Sequence, residues 1–303
     1  MSPEKKDQPE SWVGEEQGSE QYPGGEWGDQ AVDQLLDEVA PETQPQPQLT
    51  VGGLRGRAAL ITGASTGIGR AIALELAACG VHIAFNFLDE GPESQQDAED
   101  AARTFRSMEV RVFFRGCDIR DPDQVRAFVK EAHDELGGLH ILVNNAGIGR
   151  DRAMWRMADQ DWKDVLDTNL SGAFYCTREV APYLRAQEYG KIVNIASVHG
   201  LRSEFGLSNY CSSKAGLIGL TRSTAVELGP SNVNVNAVAP GYIRTTRLTE
   251  QVPAEILDRV RERSALGRLG DPQDVAYVVL FLCSEAARHI TGAVIPVDGG
   301  DLL

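Results

Sequence analysis

The sequence contains no run of 18 or more apolar residues, so no segment of it is suited to cross a bilayer as a helix. Its opening, MSPEKKDQPE, lacks the apolar stretch and cleavage pattern of a signal peptide. A soluble, cytoplasmic protein is expected. Cysteine is scarce: Cys79, Cys117, Cys176, Cys211 and Cys283 are odd in number, far apart, and form neither a CxxC pair nor a His-paired metal spacing. Free thiols in a reducing compartment are therefore expected, with no disulfide and no bound metal. Basic residues are also few, 29 Lys and Arg against 44 Asp and Glu, and the net charge of −15 argues against a nucleic-acid or anionic-membrane partner.

Most of that charge sits at one end. Residues 1–50 hold twelve carboxylates and two lysines, which leaves the rest of the chain only mildly acidic. This stretch is rich in Glu, Gln, Pro and Gly and has no apolar repeat able to bury a core, so it reads as a largely disordered acidic extension. Within it, Val32, Leu35, Leu36 and Val39 fall at helical spacing and could dock as an amphipathic turn on a neighbouring subunit or partner.

From Arg57 onward, short apolar or β-branched runs alternate with longer stretches of helical period, the pattern of a parallel sheet covered by helices. Strands are predicted at Ala58–Thr62, His82–Phe87, Val110–Gly116, Ile141–Asn144, Lys191–Ala196, Asn234–Val238 and Ala293–Val297. Residues 51–303 show no linker or internal repeat. They are expected to form a single Rossmann-type α/β domain, a doubly wound, seven-stranded parallel sheet with helices on both faces.

The first strand runs into Thr62-Gly63-Ala64-Ser65-Thr66-Gly67-Ile68-Gly69, followed by helical Ala71, Ile72, Leu74 and Leu76. In such a turn Gly63 permits the sharp bend, Gly67 lets backbone N–H groups approach a pyrophosphate, and Gly69 lets helix and strand pack closely. The TGxxxGIG spacing resembles that of the short-chain dehydrogenase/reductase family, in the branch of 3-oxoacyl-thioester reductases and sugar dehydrogenases. The resemblance continues from Leu54 to the C-terminus, through Asn144-Asn145-Ala146-Gly147, Pro240-Gly241, Arg268-Leu269-Gly270 and Val297-Asp298-Gly299-Gly300. It implies a nicotinamide dinucleotide contacted by Gly63, Ser65, Thr66, Gly67, Ile68, Gly69, Phe87, Asp118, Ile119, Asn145, Ala146, Gly147, Tyr210, Lys214, Pro240, Gly241, Ile243 and Thr245. It also implies a homotetramer.

Tyr210 and Lys214 stand four apart at the start of a predicted helix, 209–228, so both side chains leave one face about a turn apart. Carbonyl reduction needs a proton as hydride arrives, and a nearby ammonium is expected to bring the phenol down from its usual value of about 10. Tyr210 is thus the candidate acid/base, tuned by Lys214. Ser197, thirteen residues before Tyr210 at a strand end, is placed to hydrogen-bond the substrate oxygen. The resemblance gives Asn169 a water-holding role near the lysine, completing the catalytic set Asn169, Ser197, Tyr210 and Lys214. His199 projects toward the substrate, so Ser197, His199 and Tyr210 are the expected substrate contacts. Each of these residues could instead be structural, since YxxxK pairs and strand-end serines are common.

The second strand ends on Phe87, with Asp89 two residues later, so the acidic residue that would repel a 2′-phosphate is displaced. NADP(H) is modestly favoured over NAD(H), with Arg55, Arg70 and Arg120 as possible phosphate partners. The expected function is a ketoreductase of 3-oxoacyl-thioester type. The alternatives are a sugar or small-alcohol dehydrogenase, or a non-catalytic dinucleotide sensor acting through its acidic tail. Residues 243–264 are read as a mobile substrate lid.

Overall fold

The computed structural model describes residues 52–244 and 252–303. The expected extension over 1–50, with its Val32–Val39 segment, and the cofactor contact expected at Thr245 lie outside the described residues.

Seven strands form the sheet: β1 (Ala58–Thr62), β2 (His82–Phe87), β3 (Val112–Gly116), β4 (Ile141–Asn144), β5 (Gly190–Ile195), β6 (Val233–Pro240) and β7 (Val294–Val297). Their order is β3-β2-β1-β4-β5-β6-β7, and every pairing is parallel. The helices are α1 (Gly67–Ala78), α2 (Pro92–Arg106), α3 (Pro122–Leu136), α4 (Asp159–Leu166), α5 (Gly172–Ala186), α6 (Ser208–Leu228), α7 (Ala254–Arg263) and α8 (Pro272–Cys283).

Both faces of the sheet are buried, which is why its strands read as near-continuous apolar runs. Along β1, Ala59 and Ile61 pack on one side with α1, α2 and α8, through Leu76, Phe105 and Val279. Ala58 and Leu60 pack on the other with α3 and α5, through Phe128 and Leu184. The strand order reverses between β1 and β4, so the loops leaving these two strands diverge and open a crevice at the carboxyl edge.

Strand limits differ from expectation by one or two residues. β3 begins at Val112 rather than Val110, and β6 runs on through Pro240 because its last residues still pair with β7. After β4, α4 and α5 are separated by a π-helical turn, Asp167–Ser171, that contains Asn169. A π turn carries an extra residue per turn and so rotates side chains relative to an α-helix, a change that hydrophobic periodicity does not reveal.

Candidate active site

The glycine turn leaves β1 with Gly63 at φ +65 and enters α1 through Gly67 at φ +57, both in the left-handed region that glycine adopts without strain. A Cβ on Gly69 would fall 2.5 Å from both Asn145 Nδ2 and Gly63 O, so this position must lack a side chain for the turn to close. Thr66 precedes α1 with extended backbone and no side-chain cap, leaving the first-turn N–H groups directed at the crevice. Backbone donors, a bare Cα surface and the positive end of a helix dipole fit a pyrophosphate.

The turn is tied down from two sides. Thr62 Oγ1 accepts from the backbone N–H groups of Asn145 and Ala146 (2.9 Å each), while Asn145 Nδ2 donates to Thr62 O and Gly63 O. Asn86, not singled out in the sequence, accepts from Gly63 N through Oδ1 (3.3 Å) and donates to Cys117 O (2.9 Å), linking the turn to the ends of β2 and β3. An asparagine one residue from the end of a mostly apolar strand was the one available signal. Gly69→Ala is expected to weaken dinucleotide binding by about tenfold or more and to lower stability by roughly 1–3 kcal/mol, since backbone and amide must move apart. Nicotinamide fluorescence titration and urea unfolding check both effects.

The other expected cofactor contacts divide. Gly147 faces the crevice, where a Cβ would meet Asn169 Oδ1 at 3.2 Å and Lys214 Nζ at 3.5 Å. Gly241 closes β6 by donating its N–H to Val297 O. Phe87, Ile119 and Ile243 are buried: Phe87 packs near Phe114, Ile119 lies against Gly172, and Ile243 lies against Gly270. The Asp118 carboxylate is held by Arg120 at 2.6–3.0 Å, and that hydrogen bond keeps it below the usual carboxylate range. Arg120 is thus engaged. Arg55 lies beside Gly80, past the far end of α1 from the glycine turn, whereas Arg70, next to Gly69, donates to Thr104 Oγ1 (3.3 Å).

Asn169, Ser197, Tyr210 and Lys214 come together at the same crevice. Ser197 lies two residues beyond β5 and hydrogen-bonds the Tyr210 hydroxyl. Lys214 Nζ is 5.6 Å from the Tyr210 ring centroid and donates to Ile195 O (2.7 Å). In the π turn, Asn169 Oδ1 accepts from Ile148 N (2.8 Å), and its Nδ2 donates to Ile148 O and Ser213 Oγ. The amide thus ties the loop after β4 to α6 beside Lys214.

The electrostatics differ from the expected tuning. Burial pushes the Tyr210 phenol up to about 12, against the opposing pull of the Ser197 hydrogen bond. Burial likewise brings the Lys214 ammonium down to about 8. The lysine does not bring the phenol below its usual value here, because the same dry environment that encloses the tyrosine also disfavours the ammonium charge.

His199 is buried, and its Nε2 lies 2.7 Å from Glu204 Oε2, which also accepts from the Tyr242 hydroxyl at 3.2 Å. Glu204 and Tyr242 line a cavity of about 370 Å³ with Arg150, Asp151, Phe205 and Ile256. The sequence offered no spacing that linked Glu204 or Tyr242 to this site. Among the described residues no group of three or more His, Cys, Asp or Glu side chains is arranged to hold a metal, and no helix is long and apolar enough to cross a membrane.

Comparison with known proteins gives consistent similarities. The model of the enoyl-(acyl carrier protein) reductase family matches residues 63–301. The 3-oxoacyl-[acyl-carrier-protein] reductase FabG of Staphylococcus aureus (strain Mu50 / ATCC 700699) is 42% identical over 244 residues, covering 80% of this chain and 97% of its own length. That of Aquifex aeolicus (strain VF5) is 43% identical over 247 residues, covering 82% of this chain and 98% of its own. A crystal structure from Sinorhizobium meliloti 1021, assigned as a short-chain alcohol dehydrogenase, superposes with a TM-score of 0.76 at 36% identity, over 82% of this chain and 97% of that one.

Proposed function

The chain belongs to the short-chain dehydrogenase/reductase family, and from that premise we propose that it reduces the ketone of a 3-oxoacyl thioester, with NADPH as hydride donor. It is a nicotinamide-dependent oxidoreductase acting on carbonyl and alcohol groups of a small-molecule substrate. The observation that carries the proposal is the hydrogen-bonded Ser197–Tyr210 pair, with Lys214 alongside, at the crevice into which the glycine turn opens.

The proposed dinucleotide-holding residues are Gly63, Ser65, Thr66, Gly67, Ile68 and Gly69 of the turn, with Asn145, Ala146 and Gly147 opposite. When bound, the nicotinamide supplies the hydride that adds to the carbonyl carbon. Tyr210 donates its phenolic proton to the carbonyl oxygen. The phenol, raised by burial, is protonated at neutral pH and is therefore in the form that can donate. Ser197 donates to the same oxygen and stabilises charge as it develops. Lys214 supplies a positive charge that steadies the phenolate once its proton has left, and Asn169 fixes the loop after β4 against the lysine's helix.

The family model is described by an enoyl reductase, whereas the curated relatives are 3-oxoacyl reductases. A serine and a tyrosine converging where one oxygen can sit favour reduction of a C=O bond. The NADP preference is supported by buried Phe87 at the end of β2 and by the Asp89 carboxylate, which is turned to Gln95 Nε2 and Gly91 N. Arg70 is the proposed partner of the 2′-phosphate. A homotetrameric, cytoplasmic enzyme with one catalytic domain over 51–303 completes the reading. The test is a nicotinamide-absorbance assay on 3-oxoacyl thioesters, sugars and small alcohols with each cofactor. The expected result is highest kcat/KM for the thioester with NADPH. Turnover confined to sugars or simple alcohols, or a preference for NADH, would overturn the corresponding part.

A further inference from the structure

The turn after β5 carries an imidazole that none of these roles employs. His199 lies in a single 3-10 turn, Val198–Gly200, pressed so closely on α6 that a Cβ on Gly200 would fall 2.9 Å from the backbone carbonyl of Lys214. The backbone N–H of His199 donates to Ser197 Oγ (3.1 Å), and its Nδ1 is 3.5 Å from the same oxygen. Its Nε2 faces Glu204 at 2.7 Å. The ring is wedged between Tyr210 and Tyr242, with centroids 6.2 and 5.7 Å away. Carboxylate, imidazole, hydroxyl and phenol therefore form one chain. Its inner end is the Tyr210 hydroxyl, and its outer end is the Glu204 carboxylate on the wall of the 370 Å³ cavity.

We propose that His199 is a second proton source for the reduction and that Glu204 is the positioning residue that aims its ring. This inference rests on the reductase reading of the site. As the alcohol O–H bond forms, the Tyr210 O–H bond breaks. The Ser197 proton then passes to the phenolate oxygen, and the His199 Nδ1 proton passes to Ser197 Oγ. The Nε2 proton stays hydrogen-bonded to Glu204, and Nδ1 regains its proton from solvent. Each step breaks one O–H or N–H bond and makes another, so the cycle consumes one solvent proton per hydride and needs no further reactant.

Glu204 suits this work because it fixes which ring nitrogen faces the serine. The groups facing the imidazole are the carboxylates Glu204 and Asp151 and the phenols of Tyr210 and Tyr242, which burial keeps protonated. Arg263 of α7 faces Glu204 and Tyr242.

The test pairs imidazole-nitrogen NMR of the cofactor-free protein with pH profiles of kcat for wild type, His199→Gln and Glu204→Gln. A hydrogen-bonded Nε2–H signal of His199 is expected in the wild type and lost in Glu204→Gln, and the Nδ1 signal is expected to move in Ser197→Ala. The pH profile of kcat for reduction should change shape in His199→Gln, with kcat lowered about tenfold or more, and Glu204→Gln should lower kcat less, since the imidazole ring is no longer held by the carboxylate with Nδ1 toward the serine. Cofactor affinity and folded-state circular dichroism should be unchanged in both variants. Variant profiles parallel to the wild type at every pH, or Nδ1 insensitive to Ser197→Ala, would overturn the relay. Intact NMR couplings in a protein that turns over no carbonyl would instead overturn the reductase reading.

Discussion

Tyr210→Phe is expected to lower the rate of carbonyl reduction by about 10² to 10⁴-fold, the usual contribution of a positioned general acid, while leaving cofactor affinity close to that of the wild type. The substitution deletes one oxygen and keeps the ring that packs near His199. The lost atom is the one hydrogen-bonded to Ser197, and no other phenol lies in that position. The neighbouring Tyr242 gives its hydroxyl to Glu204 instead. Single-turnover measurement of NADPH oxidation separates the chemical step from binding. An unchanged rate, with thioester as substrate, would remove Tyr210 from the mechanism and leave Ser197 and Lys214 without a group to serve.

Lys214→Met is expected to abolish most turnover and, more tellingly, to change how stability depends on pH. The lysine is buried at 3% exposure, and its ammonium is brought from the ordinary 10.5 to about 8 by desolvation. A folded value below the unfolded one means that the unfolded chain binds the extra proton between those limits, so this group's contribution rises with pH across the window from about 8 to 10.5. Below about 8 the full cost of burying the charge is present, on the order of 3 kcal/mol. Absolute stability curves would hide this, because burial holds the thiols of Cys117, Cys176 and Cys283 above their usual value and gives them the opposite slope above pH 9. The difference in unfolding free energy between wild type and Lys214→Met cancels those thiols. It should shift in favour of the wild type by roughly 3 kcal/mol from pH 7 to pH 10.5 in urea titrations. A flat difference would mean that Lys214 carries the same charge folded as unfolded. A variant more stable than the wild type at pH 7 would show that the ammonium is retained for chemistry at the expense of stability.

The fold was largely legible because its signals are local. Four-to-eight-residue apolar runs such as Ala58–Thr62 and His82–Phe87 are what a strand buried on both faces must be, and the structure holds both at those limits. The ends of β3 and β6 were less legible, because pairing partners far along the chain decide where a strand stops. Tyr210 and Lys214 could be paired from sequence since helix geometry alone puts positions four apart on one face. Asn169 could be marked only by resemblance, and the π turn that aims it was not visible in any periodicity. Asn86, Glu204 and Tyr242 were missed for the same reason: each acts across a gap of 23 residues or more or through a loop contact that no spacing rule describes.

The amino-acid order by itself determined the strand and helix alternation, the glycine turn and the one-face placement of Tyr210 and Lys214, since these depend on backbone sterics and near neighbours. The tertiary structure alone decided the electrostatics. Whether a phenol is lowered by a lysine or raised by burial depends on how much water the surrounding elements exclude, and here α6, the turn after β5 and the loop after β4 exclude enough that desolvation prevails over charge.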